Sequence, residues 1–566
     1  MEPLLSFPWL QHYPASVPQE ITLAPSETLI TFLEENFRKY KDLPMLESMG
    51  KVLTYGEVDK LTQAFAAFLQ KYTSLQPRDN VAIQLPNLLQ NPIAMLGTLR
   101  AGMRVVNISP LYTANELEQQ INDARVKGLI MLSHFANIPA SIIKKIPSVH
   151  TIVITEVGDL LEPCKRAITN FVAKYIKGLV PLYQFPENEI NNTSFRDALA
   201  LGQKSVFKPV TPSQDEIAFI QYTGGTTGVS KGVVLKHKHI LSNIKQILTF
   251  MQTRLEEGKE IFITPIPLYH IFGLTVNLWS AIQIGAKSVL IPNPRNIKSL
   301  IKELQKHAFT CITGVNTLFN ALLSHPKFTS IDFSNVKISL AGGVALQDII
   351  AEKWEQLTGC PLIEGYGLTE SSPCITSNIP NGTHRRGTIG IPLPSTQVKI
   401  VDDNNQPVPP GEPGQLLAKG PQVMDNYLNN RQETAEVLID GWLQTGDIAS
   451  MSTGGFIKIL DRKKEMINVS GFNVYPNEVE NVILAHPKVL EAAAVATWEE
   501  DGREVVKLYV VKKDPSLTEK ALIKYTQDWL TNYKRPKYVE FRDSLPKSNI
   551  GKVLRRVLQE EEKQRL

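Results

Sequence analysis

The residues best equipped for chemistry lie in the run Tyr222-Thr-Gly-Gly-Thr-Thr-Gly-Val-Ser-Lys-Gly232. Gly224, Gly225 and Gly228 let backbone N–H groups approach phosphate oxygens closely. Thr223, Thr226, Thr227 and Ser230 add hydroxyl donors, and Lys231 adds a positive charge. Placed directly after the apolar run IAFIQ, such a segment reads as a phosphate-holding loop. It is not a Walker A loop, because no glycine immediately precedes Lys231 and Gly232 follows it where Ser or Thr would be needed. A flexible Gly/Thr turn is the alternative reading.

A loop of this kind needs a strand to deliver it. Short apolar runs alternate with helix-period segments from about residue 50. VAIQL from Val81, GLIML from Gly128, TIVIT from Thr151, IAFIQYT from Ile217, SVLIP from Ser288, KISLAG from Lys337 and CPLIEGYG from Cys360 read as strands. NPIAMLGTLRAG and IKSLIKELQKHA between them read as helices. The alternation predicts an α/β fold of layered, mostly parallel sheets with helices on both faces. After about residue 385 the Gly- and Pro-rich stretch around PVPPGEPG predicts short β pieces in a small barrel-like subdomain. A helix from Asn477, strands AAAVAT and VVKLYVVKK, a helix over LTEKALIKYTQDWL and a strand YVEFRD then predict a compact α+β unit. The expected division is residues 1–460 and 461–566.

With 566 residues the chain exceeds the roughly 250 to 300 at which one core stops growing, so at least two domains are required. A composition of 43% hydrophobic and 20% charged residues excludes disorder and coiled coil, and a formal charge of +4 gives no whole-molecule field for nucleic acid. Cys164, Cys311, Cys360 and Cys374 are far apart, which fits a reducing cytoplasm and excludes a C-x-x-C metal or redox pair. MEPLLSFPWLQHYP lacks a basic n-region and does not read as a signal peptide. Ile261 to Ala286 carries no charged side chain, but Pro265, Pro267, His270, Asn277 and Gln283 favour a strand, loop and buried helix over a membrane span.

The phosphate-loop motif is followed by YGLTE at 366–370, TGD at 445–447, DRKK at 461–464, GFNVYPNEVE at 471–480 and PKSNIGKVLRR from 546. In composition and order these motifs resemble those of the adenylate-forming enzymes, which include acyl-CoA synthetases, luciferase and peptide-synthetase adenylation domains. GVNTLFNALL and DRKKEMINVSGFNVYPNEVE are most similar to the bacterial long-chain fatty acyl-CoA synthetases. The resemblance implies a two-step ligase. A carboxylate attacks the α-phosphate of ATP and diphosphate leaves; coenzyme A then takes the acyl group.

Because the first step brings anion against anion, the site must supply cations and N–H donors where charge accumulates. The resemblance implies that Glu370 holds Mg²⁺, although alone it would suit a helix N-terminus. It also implies that Thr369 donates to the α-phosphate, and that Gly342, Gly343, Gly365, Tyr366 and Gly367 surround the adenine. Asp447 would accept two hydrogen bonds from the ribose diol, and Arg462 would reach the same ribose. His270 would shape the carboxylate end of an acyl pocket bordered by Gly273, Leu274 and Val276. Lys552, on a loop freed by Gly551, would bridge carboxylate and α-phosphate in the first step. The small C-terminal domain would be mobile, turning at Asp461 to bring Ser470, Gly471 and Phe472 to the pantetheine tunnel of coenzyme A.

Other readings remain open: a ligase for medium-chain or aromatic acids, an enzyme loading a carrier protein, and a non-catalytic acyl-CoA or nucleotide binder. Chain-length preference and oligomeric state, a homodimer included, are not fixed by the motifs. Finally, Lys165 to Val180 sets Ile168, Phe171, Val172, Tyr175, Ile176 and Leu179 on one helical face beside Lys165, Arg166, Lys174 and Lys177. Peripheral contact with the inner, cytoplasmic membrane is one expectation for that face, and packing on its own domain is the other.

Overall fold

The computed structural model describes residues 7–186, 190–223, 230–499, 502–548 and 551–565. Where the sequence offers short β-branched runs bounded by turns, the chain forms strands. Asn191–Ser194, Thr151–Thr155, Gly128–Leu132, Asn80–Gln84, Arg104–Asn107 and Ile217–Thr223 pair in parallel, each with the next, and Lys231–Lys236 closes that seven-stranded sheet antiparallel. A nine-stranded sheet lies beside it. Its centre is parallel, formed by Pro44–Ser48, Lys287–Leu290, Ile261–Thr264, Cys311–Gly314, Ile338–Ala341 and Leu362–Gly367. Antiparallel strands flank both ends.

Helices cross between strands and are started by local chemistry. Tyr55–Tyr72 begins with a reciprocal capping box, in which Thr54 accepts from the Glu57 amide and Glu57 accepts from the Thr54 amide. The segment Gln90–Arg100 is buried along its whole length, with the polar side chains of Gln90, Asn91 and Arg100 hydrogen-bonded. The uncharged stretch after Ile261 is a buried strand, a π-helix Gly273–Trp279 and a short helix Ser280–Gln283. Among the described residues no helix is long and apolar enough to cross a membrane.

The region expected to be a small barrel is a five-stranded antiparallel sheet of Gln397–Val401, Gly414–Lys419, Leu438–Ile439, Trp442–Met451 and Ile457–Arg462. Beyond it, Val489–Trp498, Glu504–Lys512 and Tyr538–Arg542 form a small sheet. Strand alternation sorts its two faces. Ala492, Ala494, Ala496, Leu508 and Val510 join one apolar cluster with the helix Pro476–Leu484, while Ala493, Val495, Tyr509 and Val511 join another with Leu558 of the last helix. Both clusters consist only of residues from Ile467 onward, so the C-terminal unit has cores of its own.

Candidate active site

Strand Ile338–Ala341 ends in Gly342 and Gly343, and its neighbour Leu362–Gly367 ends in Tyr366 and Gly367 before the 3₁₀ turn Thr369–Ser371. The C-terminal ends of parallel strands in open sheets are where ligands bind. Here they border a cavity of about 550 Å³. Gly367 is required by close approach, since a Cβ there would stand 1.8 Å from the carbonyl oxygen of Pro373.

The cavity wall brings together Thr223, Lys231, His270, Gly342, Gly343, Gly365, Tyr366, Gly367, Thr369, Glu370, Arg462 and Lys552. These residues come from both parallel sheets, the antiparallel sheet and the C-terminal unit. Gly224, Gly225, Thr226, Thr227 and Gly228 lie outside the described residues. Ser230 donates to the Thr223 carbonyl at 2.9 Å and accepts from Gln120 Nε2 at 3.2 Å. Lys231, the cross-strand partner of Thr223, forms an ion pair with Glu433 and lies 5.5 Å from the centroid of the Tyr427 ring.

Tyr427 also orients the acid opposite. Its hydroxyl donates to Glu370 Oε1 at 2.7 Å, and the Glu370 carbonyl accepts from the Met424 amide at 2.8 Å. Glu370 therefore presents a fixed carboxylate to the cavity. Among the described residues no group of three or more His, Cys, Asp and Glu forms a metal cage. A single carboxylate fits Mg²⁺ that arrives on a nucleotide, because this ion binds through one or two carboxylates with substrate phosphates and water completing its shell.

Asp447 and Arg462 face each other across adjacent strands, with Arg462 Nε 3.0 Å from Asp447 Oδ1. The Tyr366 hydroxyl donates to Asp447 Oδ2. Asp447 is thus the buried hub joining two wall residues rather than an open wall residue itself. Burial, reinforced by this carboxylate, holds the Tyr366 phenol neutral far above neutral pH.

Burial pushes the His270 imidazole down to about 4, with the positive charge of Lys552 adding to the shift. His270 is consequently a neutral ring at pH 7, and its Nδ1 accepts from the Phe272 amide at 3.3 Å. Ile271, Phe272, Val276 and Leu340 extend the wall as an apolar face. Of the three residues expected to border the acyl pocket, Val276 does so. Gly273 and Leu274 do not: Gly273 sits in the π-helix, where a Cβ would meet the Pro267 carbonyl at 2.4 Å, and Leu274 is fully buried in the core.

Lys552 reaches this wall from the C-terminal unit. Its amide donates to Ser548 Oγ at 3.1 Å, and Thr317 Oγ1 of the large domain donates to the Gly551 carbonyl at 3.5 Å. Burial lowers the pKa of Lys552, and Arg462 lowers it further, while Glu465 and Asp447 oppose the shift. Its ammonium is therefore poorly solvated and has most to gain from an anion in the cavity.

Asp461 lies under this wall and not in it. It accepts from the Arg462 amide at 2.8 Å, the Asn477 amide at 2.7 Å and Arg555 Nη1 at 3.1 Å. Burial raises its carboxyl to about 6 despite Arg555. Ser470, Gly471 and Phe472 occupy a hairpin tip away from the cavity. Ser470 and Gly471 take φ of 53° and 87°, and Phe472 is 57% exposed and stacks on Tyr533 at 4.7 Å.

Motif reading did not single out Glu433, Tyr427, Gln444, Thr445, Lys463 or Lys464 as parts of this wall. Lys463 and Lys464 sit within DRKK, so their motif was a usable signal. Glu433 and Tyr427 carried none, since their partners are far away in the chain.

The model of the AMP-binding enzyme family matches residues 33–428, and that of the AMP-binding enzyme C-terminal domain matches residues 478–552. The chain is 48% identical over 553 residues to a long-chain-fatty-acid–CoA ligase of Escherichia coli O6:H1, covering 98% of each chain. It is 49% identical over 554 residues to a protein of the same name from Salmonella typhimurium, again covering 98% of each. The crystal structure of the anthranilate CoA ligase AuaEII superposes with a TM-score of 0.84 over 96% of this chain and 98% of that one. At 23% identity it shows the fold alone: mixed α/β, with a large N-terminal and a smaller C-terminal domain. From the family models and these relatives, the chain belongs to the AMP-binding enzyme family.

Proposed function

We propose that the chain is a long-chain fatty acid–CoA ligase working in two steps. A fatty carboxylate attacks the α-phosphorus of ATP, forming acyl-adenylate as diphosphate leaves. The thiol of coenzyme A then attacks the acyl carbonyl, forming the thioester as AMP leaves. The observation that carries the reading is that Lys552 shares one cavity with Lys231, Thr369, Glu370 and an apolar wall that includes Val276 and Leu340. A nucleotide binder without chemistry has no need of the lysine.

In this reading Lys231, the Gly224–Gly228 loop, Thr223 and Ser230 hold the β- and γ-phosphates, and Thr369 donates to the α-phosphate. Gly342, Gly343, Gly365, Tyr366 and Gly367 bound the adenine. Arg462, held in place by the buried Asp447, fixes the ribose. Glu370 would hold Mg²⁺ carried by the nucleotide, and that ion would offset phosphate charge. Neutral His270 lets the carboxylate approach without trapping it as an ion pair, and Lys552 supplies positive charge where the attacking carboxylate meets the α-phosphate. The apolar side chains of Ile271, Phe272, Val276 and Leu340 take the start of the alkyl chain and keep water from the mixed anhydride.

The thiol must reach the carbonyl from the side that Lys552 covers, so the reading assigns residues 1–460 to nucleotide and acyl binding and 461–566 to a unit that turns at Asp461. Separate apolar cores on the C-terminal side support that division. Rotation would carry Ser470, Gly471 and Phe472 inward to line the pantetheine path. The reading places the enzyme in the cytoplasm, in reversible contact with an anionic membrane surface that holds its substrate. Coenzyme-A-dependent AMP formation, measured on acids of increasing chain length, tests the function: a maximum at long-chain acids is expected, and a maximum at aromatic or short acids would overturn it.

A further inference from the structure

The helix Pro163–Phe171 and the π-helix Val172–Ile176 that continues it are turned inside out. A surface helix of a soluble protein buries its apolar stripe and shows its polar one. Here the inward positions are Arg166, Asn170 and Ala173. Asn170 Oδ1 accepts from the Gly158 amide at 2.8 Å, a Cβ on Gly158 would stand 3.0 Å from the Arg166 carbonyl oxygen, and Ala173 is buried. The outward positions are Ile168, Phe171, Tyr175 and Ile176, which are 65%, 56%, 66% and 68% exposed. Leu182, just beyond the π-helix, is 99% exposed. Burial in the molecule's own core, the alternative for this stripe, is therefore not where these side chains are.

Charge identifies the occupant. From Pro163 to Pro186 the chain has no Asp or Glu and four basic residues, Lys165, Arg166, Lys174 and Lys177. Lys165 is tied to the Met49 carbonyl, whereas Lys174 and Lys177 stand exposed beside the apolar side chains. The charge of Lys174 acts on Glu156 only weakly, since burial and Asp159 outweigh it and raise that carboxyl. A two-fold contact between copies would set the same basic residues against each other, because an isologous interface pairs a patch with itself. An anionic lipid surface matches both components, with acyl chains for the apolar face and headgroups for the lysines.

We propose that the segment from Ile168 to Leu182 is an interfacial docking surface for an anionic bilayer, seating Phe171, Tyr175 and Ile176 among the acyl chains while Lys174 and Lys177 engage headgroup phosphates. The proposal rests on the long-chain reading only for its purpose, which is to meet a lipid-borne acid at the membrane.

The full-length protein, without substrate, is sedimented with vesicles of phosphatidylglycerol and phosphatidylcholine and with vesicles of phosphatidylcholine alone. The wild type is expected to bind the anionic vesicles more tightly, and high salt should weaken that preference. Lys174→Gln/Lys177→Gln should weaken binding to anionic vesicles roughly 30-fold, at about fivefold for each lysine near the surface. Phe171→Ser/Ile176→Ser should abolish binding at every salt concentration, and both pairs are exposed enough to leave folding intact. Equal vesicle binding by wild type and both variants overturns the proposal. So does a Phe171→Ser/Ile176→Ser protein that passes from dimer to monomer with vesicle binding unchanged, which would make the face a contact between copies. A wild type that binds these vesicles but activates no acid would sink the ligase reading and leave the docking surface standing.

Discussion

Replacing Lys552 by Ala removes a buried cation that the last loop of the C-terminal domain presents to the cavity. Its neighbours set the size of the effect. Arg462 and Arg555 act on it in one direction and Glu465 and Asp447 in the other, so its own charge is not cancelled locally. At about 4 Å and an effective dielectric near 20, a unit charge opposite an anion is worth about 4 kcal/mol, an upper bound once desolvation is counted. Loss of one preorganised donor at a developing charge costs roughly 10²- to 10³-fold in rate, the effect expected for adenylation. The two half-reactions are assayed apart: diphosphate release from ATP and acid, then thioester formation from supplied acyl-adenylate. The second should stay within a few-fold of wild type, because the lysine serves only the conformation in which it lines the cavity. The wild-type adenylation rate should also fall on the alkaline side before an ordinary lysine would titrate, since burial and Arg462 favour the neutral amine. Equal loss of both half-reactions, or an unchanged adenylation rate, would refute the assignment.

Three further perturbations probe other parts of the account. Glu370→Gln should raise the Mg²⁺ concentration required for half-maximal adenylation by at least about tenfold, read from Mg²⁺ titrations; an unchanged requirement removes Glu370 from the metal site. Asp447→Asn should cost about 2 kcal/mol in denaturant unfolding, less than a fully buried pair because Arg462 is 32% exposed, and should weaken ATP more than a nucleotide lacking the ribose hydroxyls. His237, held neutral with its pKa lowered by burial to about 4, must lose stability when it is protonated. The unfolded chain binds that proton from about pH 6.5 downward, so about 3 kcal/mol should be lost as pH falls from 6.5 to 4, and His237→Asn should flatten that slope in pH-dependent unfolding.

Much of this fold was legible because its strands are short, apolar and bounded by turns; Thr151–Thr155 and Ile217–Thr223 fall where TIVIT and IAFIQYT place them. Arg104–Asn107 and Cys311–Gly314 are not legible, since a run of only four residues carries too little pattern even where half of it is β-branched. The π-helix at Gly273 was also hidden, because an uncharged apolar run looks the same whether its turns are α or π. In the site, residues within motifs were visible one by one, but their mutual contacts were not. Lys231 meets Glu433 across 202 positions, and Tyr427 meets Glu370 across 57. Asp447 and Arg462 read as two separate ribose partners, yet a cross-strand register makes them partners of each other. The stripe from Ile168 was visible too, but which way it faces depended on Asn170 bonding to Gly158, a contact no periodicity encodes.

The central claim is that one cavity activates a fatty acid as its adenylate before coenzyme A takes part. Exchange of labelled diphosphate into ATP, with coenzyme A omitted, tests it most directly. The account predicts exchange that appears only when a long-chain acid is added and is lost in Lys552→Ala. Acid-dependent release of ADP and phosphate, or no exchange until coenzyme A is supplied, would contradict it.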